Sequence, residues 1–184
     1  MRHPSVTMLM GVLLLGAPGA GAIGVTVGGF GGYNVPILQD DVGPGPLYGM
    51  RVKLKSELPF VLQPYFAMVS EGDVDYAEEG IEFTQEGGSF TSFGLDLAFG
   101  GYRDEPGISP YFVVGIGAYS RDPGQKYRET LTSFGVDLGF GVVSKVAPML
   151  DFDLSARVLA FMLDEGGSRK SLGIAAGLNY YFAR

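Results

Sequence analysis

Residues Ser171 to Phe182 read SLGIAAGLNYYF. Taken two at a time, Leu172, Ile174, Ala176, Leu178, Tyr180 and Phe182 share one face, and Gly173, Ala175, Gly177, Asn179 and Tyr181 share the other. Period-two alternation marks a strand whose two faces meet different media. One face here is apolar to its end and closes on two aromatics, while the other is small or polar. A wall between lipid and a lumen divides its residues this way, with aromatic rings at the membrane interface.

The same pattern recurs up the chain. Tyr48-Gly49-Met50-Arg51-Val52-Lys53-Leu54, Phe93-Gly94-Leu95-Asp96-Leu97-Ala98-Phe99, Phe134-Gly135-Val136-Asp137-Leu138-Gly139-Phe140 and Leu172-Gly173-Ile174-Ala175-Ala176-Gly177-Leu178 all read apolar-Gly-apolar-x-apolar-x-apolar. A strand opening on Pro follows each of the first three, at Pro64, Pro110 and Pro148, because proline lacks a ladder donor and is tolerated at a strand's first residues. With Ile23 to Tyr33 in front, the count is eight strands. Longer connections (34–46, 71–88, 121–126, 163–170) alternate with turns at 56–63, 101–109 and 144–147. The fold class is therefore all-β: an eight-stranded antiparallel transmembrane β-barrel, an up-and-down meander.

A lipocalin-type soluble barrel also has eight strands; the faces separate the two. Val25, Val27, Met50, Val52, Phe66, Met68, Leu95, Leu97, Val114, Ile116, Val136, Leu138, Leu154 and Ala156 fall on faces without a single charge. A charge facing lipid at mid-depth costs roughly 2–4 kcal/mol, so a bilayer selects such faces. Turned inward, this set of bulky side chains would overfill an eight-stranded interior.

The opposite faces carry Arg51, Lys53, Asp96, Asp137, Asp151, Asp153 and Arg157 among many glycines. Charges inside so narrow a barrel must pair, since a stranded one costs several kcal/mol. Arg51 and Arg157 are each expected to serve one or more of the four aspartates, with Asp137 across from Ser155 or Arg157. The network either plugs the lumen or constricts a narrow wet path. Gly94, Gly115, Gly117, Gly135, Gly139 and Gly141 would leave space for water in the second case.

The first residues have the layout of a secretory signal peptide: Arg2 and His3, an apolar run from Val6 to Leu15, then Ala20-Gly21-Ala22. The run is too short for a spanning helix, which needs about 18 or more apolar residues. Cleavage is expected after Ala22, giving a signal peptide at 1–22 and a barrel domain at 23–184. No Cys is present to form a disulfide or carry a lipid anchor, and the formal charge of −7 disfavours nucleic acid. The loop 71–86 is acidic throughout (Glu71, Asp73, Asp75, Glu78, Glu79, Glu82, Glu86) and is expected to be solvated, with weak divalent binding or bridging to lipopolysaccharide phosphates as the sharper reading. Its spacing does not fit a calcium loop. Ile81-Glu82-Phe83-Thr84 alternates, so a hairpin is expected to stand above the membrane.

The Pro-Tyr-Phe openings at Pro64 and Pro110, the Ser-Phe-Gly-x-Asp-Leu repeat and the Tyr180-Tyr181-Phe182 ending together resemble the OmpA-like and OmpW-like small outer-membrane barrels of Gram-negative bacteria. Ala183 and Arg184 after the final aromatic depart from the family's usual ending, as does the absence of Trp; Tyr33, Tyr48, Tyr102, Tyr119, Tyr127 and Tyr180 are candidates for the interface girdle. The resemblance implies an outer-membrane address with both termini periplasmic and lipid and lipopolysaccharide as neighbours. It also implies an insertion signal at Tyr180 and Phe182 read by the barrel-assembly machinery. Barrels of this kind that act as enzymes use a Ser with a His base. The only histidine is His3, within the signal peptide, so an enzyme is not expected and no cofactor or metal is implied. Three functions are consistent with the sequence: a structural or surface-interaction barrel with a plugged lumen, a narrow channel for small or apolar solutes, and a periplasmic lipocalin-like binder.

Overall fold

The computed structural model describes residues 24–39, 42–78, 81–101, 107–122, 131–162 and 167–183. The expected signal peptide, Ile23, Tyr102 and Tyr127 lie outside them. Among the described residues ten strands follow in chain order: β1 (Gly24–Pro36), β2 (Gly45–Lys55), β3 (Phe60–Ser70), β4 (Val74–Glu78), β5 (Ile81–Gln85), β6 (Ser89–Gly100), β7 (Ile108–Asp122), β8 (Leu131–Ala147), β9 (Leu150–Met162) and β10 (Ser168–Ala183). Eight of them close a barrel in the order β1-β10-β9-β8-β7-β6-β3-β2, while β4 and β5 form a separate two-stranded hairpin. All pairings are antiparallel, and the closing seam sets Val27 opposite Tyr180 and Val35 opposite Leu172. The barrel strands run from 11 residues in β2 to 17 in β8 against the roughly 9–11 a membrane needs, so the longer ones rise beyond it.

The faces settle the orientation of the wall. Phe134 is 83% exposed and Phe140 69%, whereas Asp96 and Asp137 are 0% and 1% exposed. Bulky apolar side chains thus point out from every barrel strand, while Arg51, Lys53, Asp96, Asp137, Asp151 and Asp153 are buried inside. This inverts a soluble barrel and matches a sheet solvated by lipid outside. Removing the lipocalin-type arrangement also removes the apolar calyx such a binder would need.

Several local expectations are corrected. Pro64 lies inside β3, opposite Leu95, and Pro110 is the third residue of β7. Pro148 is in a turn with Met149, and β8 runs through the expected turn at 144–147. The β8–β9 register is set by this later turn: Asp137 faces Leu159, and Arg157 faces Gly139. Pro64 leaves its own mark. The β2–β3 ladder pairs Arg51 with Tyr65 and then Leu54 with Leu62, with no rung between, whereas β3–β6 is continuous from Phe60 to Ser70. A proline can offer no N–H to one neighbour, and the break falls beside it.

Candidate functional site: the lumen and its hairpin-bearing mouth

Inward-facing positions from seven strands build a belt of charge across the lumen. Asp153 on β9 lies at one wall, with Lys53 Nζ 2.7 Å from its Oδ2 and Arg51 Nη2 3.2 Å from its Oδ1. The Tyr111 hydroxyl donates to Asp153 Oδ1 at 2.8 Å, and Asn179 Nδ2 reaches its Oδ2 at 3.5 Å. Further along the same strand, Arg157 Nη1 bonds Asp96 Oδ2 and lies 3.6 Å from Asp137 Oδ1. Tyr65 donates to Asp137 at 3.4 Å, and its hydroxyl is 3.2 Å from that of Tyr119. Asp151 stands apart, its carboxylate hydrogen-bonded by the Tyr181 hydroxyl. The guanidinium of Arg51 also lies 5.1 Å from the Phe30 ring centre and that of Arg157 5.9 Å from Tyr65, contacts in which an aromatic face favours a desolvated cation.

The belt lies between two apolar layers. Toward the end bearing the β4–β5 hairpin, Val69, Phe90, Tyr119 and Phe161 pack together with Leu47 and Leu159, and the Tyr119 and Phe161 rings stack at 5.0 Å. Toward the opposite end, Val61, Ala98, Tyr111, Val113 and Val143 form a second cluster. Tyr119 is therefore a lumen residue, not an interface one, while Tyr33, Tyr48 and Tyr180 are exposed on the outer wall. The alternation carried this information: with Phe112, Val114 and Ile116 outward, Tyr111, Val113 and Tyr119 must face in.

The inward glycines do not hold open space. A side chain at Gly94 or Gly117 would meet the Tyr65 ring or hydroxyl, at Gly135 Tyr119 and Phe161, at Gly139 Arg157, and at Gly141 Tyr111. Each glycine lets a large neighbour lie flat across the wall. What remains between the belt and the aromatic layer is a cavity of about 40 Å³, bordered by Asn34, Arg51, Asp137 and Arg157. That is room for a few water molecules.

A second cluster ties down the mouth that bears the β4–β5 hairpin. The Glu71 side chain is buried and takes hydrogen bonds from Arg121 Nε and Nη2 at 3.2 and 2.9 Å and from Arg169 Nη1 at 3.4 Å. Arg169 also reaches Gln39 at 3.2 Å, whose amide bonds the Lys170 carbonyl at 3.2 Å. Gly43 and Gly72 form an isolated bridge, and Asp73 caps the Gly87 amide at 2.7 Å. The expectation of a wholly solvated acidic loop holds for Glu82 and Glu86, which are exposed, and fails for Glu71, whose cationic partners lie roughly 50 and 100 positions away in sequence. Among the described residues no group of three or more His, Cys, Asp and Glu side chains is placed to hold a metal ion.

Fold and lumen together define a class: a small eight-stranded transmembrane β-barrel of the outer-membrane type. Among solved structures it is similar to neisserial surface protein A (17% identity, 88% of this chain and 99% of that one, TM-score 0.56). It is similar also to OprG of Pseudomonas aeruginosa (11% identity, 90% and 98%, TM-score 0.58). A third is Ail of Yersinia pestis, solved with the heparin analogue sucrose octasulfate (14% identity, 89% and 99%, TM-score 0.51). At such identities the likeness is one of fold. No family model and no curated protein matches the sequence.

Proposed function

We propose that this protein is a non-enzymatic barrel of the outer membrane with a plugged lumen and a structural or surface-interaction role. The observation that carries the reading is the filled interior: paired charges between two apolar layers, with the wall glycines covered by side chains. A pore of this construction has no continuous aqueous path, and its activity is left to its outer wall and external loops. The mouth cluster around Glu71 supports that division, because it spends two arginines on holding the hairpin in place. Export by a cleaved signal peptide at 1–22, periplasmic termini, and lipid with lipopolysaccharide as neighbours belong to the same reading. So does recognition of Tyr180 and Phe182 by the assembly machinery; their rings pack edge to face at 5.2 Å on the outer wall. Refolded protein in planar bilayers is expected to give no sustained conductance steps; steady steps would replace this reading with a channel. In cells the protein is expected in the outer-membrane fraction, and Phe182→Ala to lower its amount there.

A second reading, a narrow route for apolar solutes that opens sideways, is favoured by the missing β2–β3 rungs at Pro64. An apolar groove of about 470 Å³ on the outer wall runs past the break, lined by Met50, Val52, Pro64, Phe66, Phe93 and Leu95. Uptake of a small apolar fluorophore into vesicles carrying the protein, reduced by Pro64→Val, would support it; equal uptake with and without the protein would remove it.

A further inference from the structure

Gly115 of β7 pairs with Asp96 of β6 on one side and Asp137 of β8 on the other. A methyl group at Gly115 would overlap Asp96 Oδ1 and Asp137 Oδ2 at once. The two carboxylates therefore direct oxygens into one small space above the glycine. Both side chains are buried, and among the described residues Asp96 Oδ1 and Asp137 Oδ1 have no hydrogen-bond partner.

The charged and titratable groups around this space are few. From β9, Arg157 Nη1 contacts Asp96 Oδ2 and lies 3.6 Å from Asp137 Oδ1. From β3, Tyr65 donates to Asp137 at 3.4 Å, and from β7 the Tyr119 hydroxyl touches Tyr65. From β2, Arg51 and Lys53 both contact Asp153, further along β9, and the Arg51 charge also reaches Asp96. One guanidinium thus contacts two carboxylates while Arg51 and Lys53 both contact Asp153, so the belt balances as a whole and the shortfall of one counter-charge is local to Asp96 and Asp137. A buried charge without a counter-charge is strongly disfavoured, and two carboxylates sharing a site resist ionising together.

We propose that Asp96 and Asp137 form a binding site for one monovalent cation, either a proton shared between the carboxylates or a sodium ion held between them. The excess of a single charge argues against a divalent ion, as does the small donor set, since calcium and magnesium take six or more oxygens. Asp137 and Arg157 border the small lumen cavity, which leaves room for water beside the site.

The test uses the full chain refolded in detergent micelles. Its carboxyl infrared spectrum is recorded, and its unfolding midpoint is followed as sodium chloride replaces choline chloride at constant ionic strength and pH. A shared proton gives a protonated-carboxyl C=O stretch that disappears in Asp137→Asn and persists in Asp151→Asn. A bound sodium gives no such band, but a midpoint that rises with sodium and loses this response in Asp137→Asn. Because an asparagine stands in for a neutralised carboxyl, Asp137→Asn is expected to refold with a midpoint at or above that of the sodium-free parent. A wild type with neither the band nor a sodium response overturns the proposal. So does a band or response that survives Asp137→Asn, or an Asp137→Asn chain that cannot refold.

Discussion

Arg157 is the side chain with the most at stake in the lumen. It is the only cation in contact with both Asp96 and Asp137 among the described residues, and it lies against Tyr65 and across Gly139. Arg157→Ala strands two buried carboxylates, and removing one member of a buried ion pair costs about 3–5 kcal/mol. Urea unfolding of the refolded protein should show the corresponding fall in midpoint. Replacing all three partners together, as Arg157→Met with Asp96→Asn and Asp137→Asn, removes the charges in step and should recover most of the loss. If the single and triple variants unfold alike, the charge pairing is not what the alanine removed.

Among the elements, the β4–β5 hairpin is the least supported by its own contacts. A two-stranded sheet is marginal in water, and this one is joined to the barrel through Glu71, Asp73 and the Gly43–Gly72 bridge. Glu71→Ala removes charge-assisted hydrogen bonds from two arginines, so local opening of 74–85 should become easier by about 2 kcal/mol. Hydrogen exchange should report this in the hairpin, with protection in β8 and β9 unchanged. The β2–β3 pair offers the opposite change. Pro64→Val restores an N–H where the ladder is broken, and one added hydrogen bond is worth about 0.5–1.5 kcal/mol. Raised protection of the Val52 and Lys53 amides would register it.

At the scale of the whole molecule, the wall is the boundary between two solvents. Leu138, near the middle of β8, is half-exposed on the outer face, flanked by Val114 and Val158. Leu138→Arg should cost roughly 2–4 kcal/mol in lipid vesicles, the price of a charge at mid-bilayer. The closed barrel is expected to resist unfolding in detergent until heated and then to change its gel mobility. A chain already extended before heating would contradict the closure seen at the β1–β10 seam.

How much of this was legible in one dimension depends on what kind of information each feature needs. Strand number, the lipid-facing set and the inward position of Arg51, Lys53, Asp96, Asp137, Asp153 and Arg157 follow from a period of two, because a pleated strand has only two sides and lipid rejects charge on one of them. The same parity holds Tyr65, Tyr111 and Tyr119 inside, against the expectation that placed Tyr119 in the interface girdle. Register was not legible: moving the turn to Pro148–Met149 put Asp137 opposite Leu159, since a hairpin's pairing is set by its turn. Which charges meet across the lumen, and that Glu71 joins Arg121 and Arg169, were decided only by closure. Closing a sheet requires tilt and stagger between strands, and these bring together residues whose separation along the chain carries no trace of the contact.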